Sequence, residues 1–262
     1  MARPPLKFSV ITVCRNAADL LQRTFDSVAA QDYPYVEHLI IDGNSEDLTL
    51  EMLHHYMERN SQREIPHEIN CLSENDEGLY DAMNKGIGLL TGRYVIFLNA
   101  GDTFASDHTL SHVAECAEGS HKQAGVVYGD TNIVDADGKF VRRRRLSPPE
   151  TLKWEDFRSG MLVCHQSFFV RTDLARETRY NLAYRYSADF DWCIRIMQLA
   201  RRRDAPLVNA FEPLANYLQG GMSIKNHRKS LIERFRIMAH YYGWTTTVAE
   251  HLWFVVRALI RR

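Results

Sequence analysis

The chain has 262 residues, of which 45% are hydrophobic and 25% charged, and its formal net charge is −1. This length is sufficient for one large α/β domain, and the composition gives no sign of a collagen-like or disordered protein. A net charge close to zero argues against nucleic-acid binding by the protein as a whole. The five cysteines are scattered without a Cys-x-x-Cys pair. We therefore expect reduced thiols rather than a disulfide framework or a zinc site.

The first hundred residues alternate between strand-like and helix-like segments. Short apolar runs predict strands over about residues 8–14, 36–41, 68–72 and 93–98. Helical spacing predicts one helix that carries Leu21, Phe25 and Val28, and further helices over about residues 48–59 and 79–90. Asn16 is expected to cap the first helix and Gly92 to end the last. This order predicts a parallel sheet covered by helices on both faces, with a nucleotide-binding half over about residues 1–104.

The second half, residues 105–225, changes character. Residues 126–134 and 139–141, joined by turn-forming residues 135–138, predict a hairpin, and residues 167–170 predict another strand. A helix over about residues 189–201 is expected to bury three side chains: Phe190, Ile194 and Met197. These elements predict a mixed sheet.

Polar residues follow three of the predicted strands. Arg15 and Asn16 follow the first strand, Asp42 the second and Asp102 the fourth. In an open parallel sheet, ligands bind beyond the carboxyl ends of the strands. Two acids and a basic group at this edge would hold a nucleoside, a diphosphate and a divalent ion. The alternative is that Asp42 and Asp102 only shape turns.

Five stretches together resemble the family 2 glycosyltransferases with the GT-A fold. They are residues 8–16, 39–45, 73–86, 94–102 and 187–192, in that order. The block Asp-Glu-Gly-Leu-Tyr-Asp-Ala-Met-Asn-Lys-Gly from Asp76 to Gly86 is most similar to enzymes of colanic acid and related exopolysaccharide assembly. The resemblance covers roughly residues 8–225. It implies a GT-A domain and inverting transfer of a sugar from a UDP- or GDP-sugar to a glycan or lipid-linked acceptor.

The resemblance also implies which residues contact the donor and the metal. The expected donor contacts are Val13, Arg15, Asn16, Asp42, Asp76, Asn84, Lys85 and Gly101. Asp102 matches the surviving acid of an Asp-x-Asp motif and is the expected ligand of Mn2+ or Mg2+. Ala100 and Gly101 stand where relatives often place further acids, so the ion would rest on one carboxylate, the diphosphate and water. For Lys85, the alternative is a solvated side chain in mid-helix.

The residues expected to act on the acceptor lie in the second half. The resemblance implies that Asp189 removes the proton of the acceptor hydroxyl and that Asp191 belongs to the same catalytic site. Alternatively, both acids only favour the start of a helix through its dipole. His165 and Gln166 match a recurring pair that would line the acceptor pocket. A histidine buried in the core is the alternative for His165.

Two further segments are candidates for substrate contact. Gly220 and Gly221 match a Gly-Gly-x-Ser loop that would close over the donor, and glycines here would allow a close approach to phosphate. The basic run Arg142–Arg145 would hold a lipid-linked diphosphate acceptor, or alternatively form a solvated face.

Residues 226–262 are expected to form a basic, amphipathic helical tail. From Lys225 to Arg262 there are eight basic residues and two acidic ones, and the apolar residues of 252–260 lie beside arginines. This composition is typical of a helix on an anionic membrane surface, and the apolar run is too short to span a membrane. The alternative is a helix packed on the domain or on a second subunit of a homo-oligomer. Because residues 1–7 do not resemble a signal peptide, we expect a cytoplasmic protein at the inner face of the membrane.

Two other functions are alternatives. A nucleotidyltransferase that makes sugar nucleotides also combines an α/β sheet with a metal. Such enzymes usually have a Gly-rich phosphate loop near the first strand, and residues 10–16 contain no glycine. A noncatalytic protein that binds nucleotide sugars in a polysaccharide-assembly complex would need no base, so replacement of Asp189 would separate it from an enzyme.

Overall fold

The computed structural model describes residues 5–119, 122–220 and 226–260. The strands are β1 Phe8–Cys14, β2 Val36–Asp42, β3 Glu68–Ser73, β4 Tyr94–Phe97, β5 Thr103–Phe104, β6 Val126–Val134, β7 Phe140–Arg143, β8 Phe168–Arg171 and β9 Leu207–Leu218. The helices are α1 Ala18–Ala29, α2 Thr49–Ser61, α3 Leu79–Leu89, α4 Thr109–Glu118, α5 Thr172–Glu177, α6 Ala188–Arg202, α7 His227–Tyr242 and α8 Trp244–Ile260. Short 3-10 helices cover Trp154–Ser159 and His165–Ser167.

The strand order confirms the predicted α/β fold. The strands form one sheet in the order β3-β2-β1-β4-β8-β6-β9-β5, and β7 pairs with β6. Strand β1 is parallel to β2 and β4, and β2 is parallel to β3. Strand β8 is antiparallel to both β4 and β6, whereas β9 is parallel to β6. The first half of the sheet is therefore parallel and the second half mixed, and β1, β2 and β4 end at the same edge.

Both faces of β1 are buried between layers of helices. Val13 lies in one hydrophobic cluster with Met83 of α3. Val10 lies in a second cluster with Val28 of α1 and Val113 of α4. Side chains alternate between the faces of a strand, and burying a side chain of this size contributes about 1.5–3 kcal/mol. The residues predicted to be buried on α6 join the first cluster: Phe190, Ile194 and Met197.

Two predicted helix ends are wrong. Ala17 rather than Asn16 occupies the N-cap position of α1, and no side chain caps this helix. Asn16 instead adopts a φ of 49°, and its side-chain oxygen accepts a hydrogen bond from the Glu46 N–H at 2.9 Å. Gly92 lies beyond the end of α3. A Cβ atom at Gly92 would lie 2.6 Å from Ser9 Oγ, so this glycine permits close contact with β1.

No residue range was predicted for α4, α5, β5, β9 or the 3-10 helix Trp154–Ser159. The predicted strand at 167–170 also begins as a 3-10 helix, His165–Ser167, before β8. Strand β9 matters most, because it pairs with both β6 and β5. It contains Pro213, and its register with β6 shifts on both sides of Asp130. A strand with such irregular pairing shows no clean alternation of apolar residues from which to predict it.

Helix α7 packs into the main core. Ile237 and Met238 are buried in the first hydrophobic cluster. Glu233 accepts hydrogen bonds from the backbone N–H groups of Arg185 and Tyr186, at 2.9 and 2.8 Å. The predicted domain boundary at residue 225 therefore falls within a packed unit, and α7 fixes the segment that leads into α6.

A buried histidine joins β2 to β1 and α2. His38 is fully buried, and its Nε2 and Nδ1 lie 2.8 Å from Thr12 Oγ1 and 3.0 Å from the Tyr56 hydroxyl. The Thr12 hydroxyl donates its single hydrogen to Leu98 O. The His38 Nε2 must therefore carry the proton, and Nδ1 must accept from Tyr56. Burial lowers the pKa of His38 to about 3, because a charged ring would lose its hydration.

We predict that His38 makes the free energy of unfolding fall on acidification. In the unfolded chain the imidazole takes up a proton below about pH 6.5, whereas the folded state keeps it neutral down to about pH 3. Stability is therefore lost as the pH falls below about 6.5, by up to about 1.4 kcal/mol per pH unit from this residue. Urea unfolding over this pH range measures the slope. The slope should be smaller in His38→Gln, and an equal slope in the variant would contradict the assignment.

Candidate active site

The loops that follow β1, β2 and β3 meet at one edge of the sheet. Gly43, which follows β2, lies against the side chains of both Arg15 and Asp76. One carboxylate oxygen of Asp76 accepts a hydrogen bond from the Gly78 N–H at 2.8 Å. Arg15 is exposed, and it forms no hydrogen bond or ion pair with the rest of the described chain. Two of the predicted donor residues are thus together at the carboxyl edge.

Asp42 is buried and holds the adjoining loops together. Its carboxylate accepts hydrogen bonds from the Ser73 hydroxyl at 2.6 Å and from the Ser45 N–H at 3.0 Å. The Asn16 N–H donates to Ser45 Oγ at 2.8 Å. Asp42 and Asn16 therefore shape the loop after β2, and their contact with a donor stays a prediction. The Val13 side chain is buried in the core, so its contact with a donor would come from the backbone.

Two predicted donor residues of α3 hold nearby loops in place. The Asn84 side chain donates to Tyr180 O at 3.0 Å and accepts from the Tyr180 N–H at 2.7 Å. Lys85 Nζ donates to Asn75 O at 2.5 Å and lies 2.9 Å from Glu74 Oε1. Asn84 thus anchors a segment that precedes α6, and Lys85 anchors the loop after β3. Direct contact of either residue with a donor stays a prediction.

Asp102, in the loop after β4, is only 3% exposed. Its two oxygens accept hydrogen bonds from the Leu218 N–H and from Gln166 Nε2, each at 2.9 Å. Burial raises the pKa of the Asp102 carboxyl to about 6, and these two hydrogen bonds oppose the rise. The preceding Gly101 has a φ of 94°, which favours glycine. A Cβ atom at Gly101 would also lie 2.8 Å from Leu218 Cδ2, so this glycine lets the loop bring Asp102 to the end of β9.

Asp189, at the start of α6, is 8% exposed. Its Oδ1 accepts hydrogen bonds from the Tyr80 hydroxyl at 3.1 Å and the Phe190 N–H at 2.9 Å, and its Oδ2 lies 3.4 Å from His165 Nδ1. Burial raises the pKa of Asp189, but His165, the charge of Arg234 and the Tyr80 hydroxyl together bring it below its usual value. Asp189 is therefore a carboxylate at neutral pH and can accept a proton.

Two adjacent side chains connect the two carboxylates. Gln166 donates to Asp102, and the neighbouring His165 approaches Asp189. His165 Nε2 also lies 3.3 Å from Asn99 Nδ2, just after β4. The 3-10 helix that carries His165 and Gln166 therefore connects Asp102 and Asp189, which lie far apart in the chain.

Asp191 does not join this pair. Its Oδ2 accepts a hydrogen bond from Arg195 Nε at 2.7 Å, and its Oδ1 accepts one from the Tyr241 hydroxyl at 2.8 Å. The side chain is 3% exposed. Asp191 thus ties α6 to α7, and its predicted catalytic role has no counterpart in these contacts.

The predicted glycine loop begins beside the site. Gly220 closely follows Leu218, the residue whose N–H binds Asp102. Gly220 has a φ of 106°, and no atom of the described residues lies within 4 Å of the position of a Cβ atom there. Gly221 lies outside the described residues.

The contacts of Tyr80 and of the Leu218 N–H with the carboxylates were not predicted from the sequence. Tyr80 lies within the Asp76–Gly86 block, so the resemblance could have drawn attention to it. Its ring stacks on Tyr180 with ring centres 5.3 Å apart, which orients the hydroxyl towards Asp189. The other contact is the Leu218 N–H. A backbone group leaves no signal in the sequence, and β9 itself was not predicted.

Two cavities lie away from this site. One of about 310 Å3 is lined by Glu250 and Trp253 of α8. The other, of about 550 Å3, is lined by Lys7 and Arg93 among others, at the amino ends of β1 and β4. Within the described residues no three His, Cys, Asp or Glu side chains converge as metal ligands.

Sequence comparison relates the chain to known glycosyltransferases. The model of the family Glycosyl transferase family 2 matches residues 9–178. A PGL/p-HBAD biosynthesis glycosyltransferase of Mycobacterium tuberculosis (strain ATCC 25177 / H37Ra) is 34% identical over 200 residues, which cover 74% of this chain and 70% of the relative. The amylovoran biosynthesis glycosyltransferase AmsB of Erwinia amylovora is 29% identical over 220 residues, which cover 81% of this chain and 69% of the relative.

Solved structures share the fold. S. aureus TarS 1-349 in complex with UDP superposes with a TM-score of 0.66 at 18% identity, covering 89% of this chain and 64% of TarS 1-349. The present chain thus spans slightly less than two thirds of that TarS chain. The mannosyltransferase PcManGT from Pyrobaculum calidifontis, in complex with GDP-Man and Mn2+, gives a TM-score of 0.63 at 16% identity, covering 94% of this chain and 74% of PcManGT. At these identities the likeness establishes a common GT-A fold.

Proposed function

The chain belongs to glycosyl transferase family 2, and we propose that it transfers a sugar, with inversion, from a UDP- or GDP-sugar to a glycan or lipid-linked acceptor. The observation that carries this proposal is the junction at His165 and Gln166, which connects Asp102 to Asp189. One relative, AmsB, is named for amylovoran biosynthesis. This likeness supports a role in the synthesis of a cell-surface polysaccharide.

In this proposal Asp189 is the general base. Its lowered pKa keeps the carboxylate ionised at neutral pH. The Tyr80 hydroxyl and the Phe190 N–H hold Oδ1, so Oδ2 is the oxygen that takes the proton of the acceptor hydroxyl. The acceptor oxygen then attacks the anomeric carbon from the face opposite the departing diphosphate. A single displacement of this kind inverts the anomeric centre.

The residues at Asp102 fit a divalent ion whose coordination is completed by the donor. Each Asp102 oxygen accepts one hydrogen bond and retains a second lone pair. Mg2+ commonly uses one or two carboxylates with substrate phosphates and water, and PcManGT was solved with GDP-Man and Mn2+. A bound ion would stabilise the negative charge that develops on the diphosphate. Gln166 and the Leu218 N–H would keep the Asp102 side chain in place to hold it.

Arg15 and Asp76 are the proposed donor contacts at the sheet edge. TarS was solved with UDP and PcManGT with GDP-Man, which supports a nucleoside diphosphate as the ligand class. The exposed guanidinium of Arg15 can donate two parallel hydrogen bonds to a phosphate. Asp76 uses one oxygen for the Gly78 N–H and has the other for a donor hydroxyl.

The alternative functions differ from this proposal in what they require of Asp189. A nucleotidyltransferase joins a nucleotide to a sugar phosphate, and the family match over residues 9–178 favours glycosyl transfer instead. A noncatalytic binding protein would hold UDP or GDP and transfer nothing. Replacement of Asp189 therefore tests the proposal.

We predict that Asp189→Asn abolishes transfer and retains donor binding. Loss of the base should lower kcat by about 10²–10⁴-fold, whereas UDP and GDP affinities should not change. Nucleoside diphosphate release measures turnover, with the donor and acceptor chosen by screening nucleotide sugars against membrane lipid extracts. Asp191→Asn is the matched control, because it removes a nearby charge that binds Arg195 and Tyr241. It should lower Tm and keep kcat, and equal activity of Asp189→Asn and the unmodified chain would contradict the proposal.

We further propose that α8 binds the inner face of the cytoplasmic membrane. Exposed apolar residues recur every four positions along α8, namely Trp244, Val248, Leu252 and Val256, and Trp253 is exposed as well. Exposed basic side chains lie at the start of α7: Arg228 and Lys229. Within the described ranges no helix has both the length and the apolar character needed to cross a membrane. An exposed apolar stripe in a basic segment of the chain suits a helix that lies flat on anionic lipid, where it would bring the enzyme to a lipid-linked acceptor.

We predict co-sedimentation of the protein with vesicles that contain phosphatidylglycerol, and less with vesicles of phosphatidylcholine alone. Leu252→Ser should weaken vesicle binding, whereas Leu48→Ser should not. The two leucines are equally exposed, each at 63%, so the pair controls for general loss of apolar surface. Equal binding by both variants would contradict a membrane role for α8. A dimer that dissociates on Leu252→Ser, without vesicle binding, would assign α8 to a subunit contact.

A further inference from the structure

Arg234 of α7 is a half-buried cation without a carboxylate partner. Its Nε is buried and has no hydrogen-bond partner, and its guanidinium forms no ion pair within the described chain. The guanidinium carbon lies 5.9 Å from the centre of the Phe190 ring, and Phe190 directly follows Asp189. A ring face attracts a cation but does not replace the oxygen acceptors that guanidinium N–H groups require. Unpaired buried N–H groups are unfavourable. A ligand with oxygen atoms would supply the acceptor that Arg234 Nε lacks within the described chain.

The position of Arg234 is fixed by its neighbours. Glu233 binds the backbone N–H groups of Arg185 and Tyr186, and α7 thereby holds the segment that leads into Asp189. The Asp189 Oδ1 already accepts hydrogen bonds from the Tyr80 hydroxyl and the Phe190 N–H, and Oδ2 lies 3.4 Å from His165 Nδ1. Burial raises the pKa of Asp189, and the charge of Arg234 is among the causes that lower it. The charge of Arg234 therefore influences Asp189, although the two side chains do not form an ion pair.

A second half-buried arginine approaches the site from another segment. The Arg144 N–H donates to Thr131 O at 3.0 Å, and Thr131 Oγ1 lies 2.8 Å from Ser167 Oγ. This places Arg144 next to the 3-10 helix that ends at Ser167. Among the described residues, its guanidinium has only a long contact of 3.5 Å with Leu146 O. Burial raises the pKa of the Cys164 thiol, and the charge of Arg144 opposes that rise.

We propose that Arg234, assisted by Arg144, binds a phosphate or diphosphate group of the acceptor beside the base. This inference rests on the proposed function and names its acceptor class. In an inverting displacement, the base and the leaving group lie on opposite faces of the anomeric carbon. A cation on the side of Asp189 therefore faces the acceptor rather than the departing diphosphate. Guanidinium groups bind phosphate oxygens through paired hydrogen bonds, so the acceptor carries its phosphate close to the hydroxyl that reacts.

The test is calorimetric titration of the full chain with geranyl diphosphate in EDTA, which removes divalent ions. Arg234→Gln should weaken binding at least tenfold, while Arg234→Lys should lose less because it retains the charge. Arg236→Gln is the matched control, since Arg236 is exposed on the same helix, and it should bind like the unmodified chain. Thermal unfolding confirms that each variant is folded. Inorganic pyrophosphate, titrated in parallel, should also depend on Arg234, because the anionic group rather than the hydrocarbon is the proposed ligand.

Three results would overturn the inference. They are no binding of geranyl diphosphate at millimolar concentration, equal binding by Arg234→Gln and the unmodified chain, and equal loss in the Arg236→Gln control. Titration with UDP and Mn2+ separates the donor from the acceptor, because UDP affinity should not change in Arg234→Gln. Loss of UDP affinity instead would assign the guanidinium to the donor and overturn the acceptor assignment. The EDTA titrations measure binding without turnover. Their result is therefore independent of the Asp189→Asn activity test, and failure of the inference can be told apart from failure of the proposed function.

Discussion

The candidate active site depends on one pair of adjacent side chains, His165 and Gln166. Gln166 donates to Asp102 after β4, and His165 lies between Asn99 and Asp189. The parallel half of the sheet supplies one acid and α6 supplies the other. The loop after β4 positions Asp102 and α6 positions Asp189, so a third segment is needed to connect them. The short 3-10 helix that carries the pair therefore links the two acids through side-chain contacts.

The partners of the two acids explain why their pKa values move in opposite directions. Both carboxylates are buried, which disfavours the charged form of each. Asp102 has hydrogen bonds from Leu218 and Gln166, which only partly offset burial, and its pKa rises to about 6. The charge of His165 lowers the pKa of both acids. At Asp189 the close approach of His165, the charge of Arg234 and the Tyr80 hydroxyl add to this effect, so its pKa falls. The environment of Asp189 suits a base that must be ionised. The environment of Asp102 suits a metal ligand that binds its ion together with the substrate.

The sequence predicted the parts of the fold that have regular periodicity and short-range turns. The parallel strands, the buried face of α6 and the polar residues at the strand ends all follow from apolar spacing. The strand β9 was missed because its pairing with β6 is irregular, and the Asp102 contact with Leu218 was missed with it. The hydrogen bond from Asn84 to Tyr180 O could not be predicted either, because it joins residues that are distant in the chain. Contacts of this kind depend on tertiary packing rather than on local pattern.

We propose that Asp102 holds a divalent ion together with the donor diphosphate. The most direct measurement is the Tm of the protein with UDP or GDP, with and without Mn2+, since ligands of the folded state raise Tm. The account predicts a larger rise when nucleotide and Mn2+ are both present than with either alone. In Asp102→Asn that additional rise should disappear, while the rise from nucleotide alone remains. An unchanged response of Asp102→Asn to Mn2+ would contradict the account and remove Asp102 from the site.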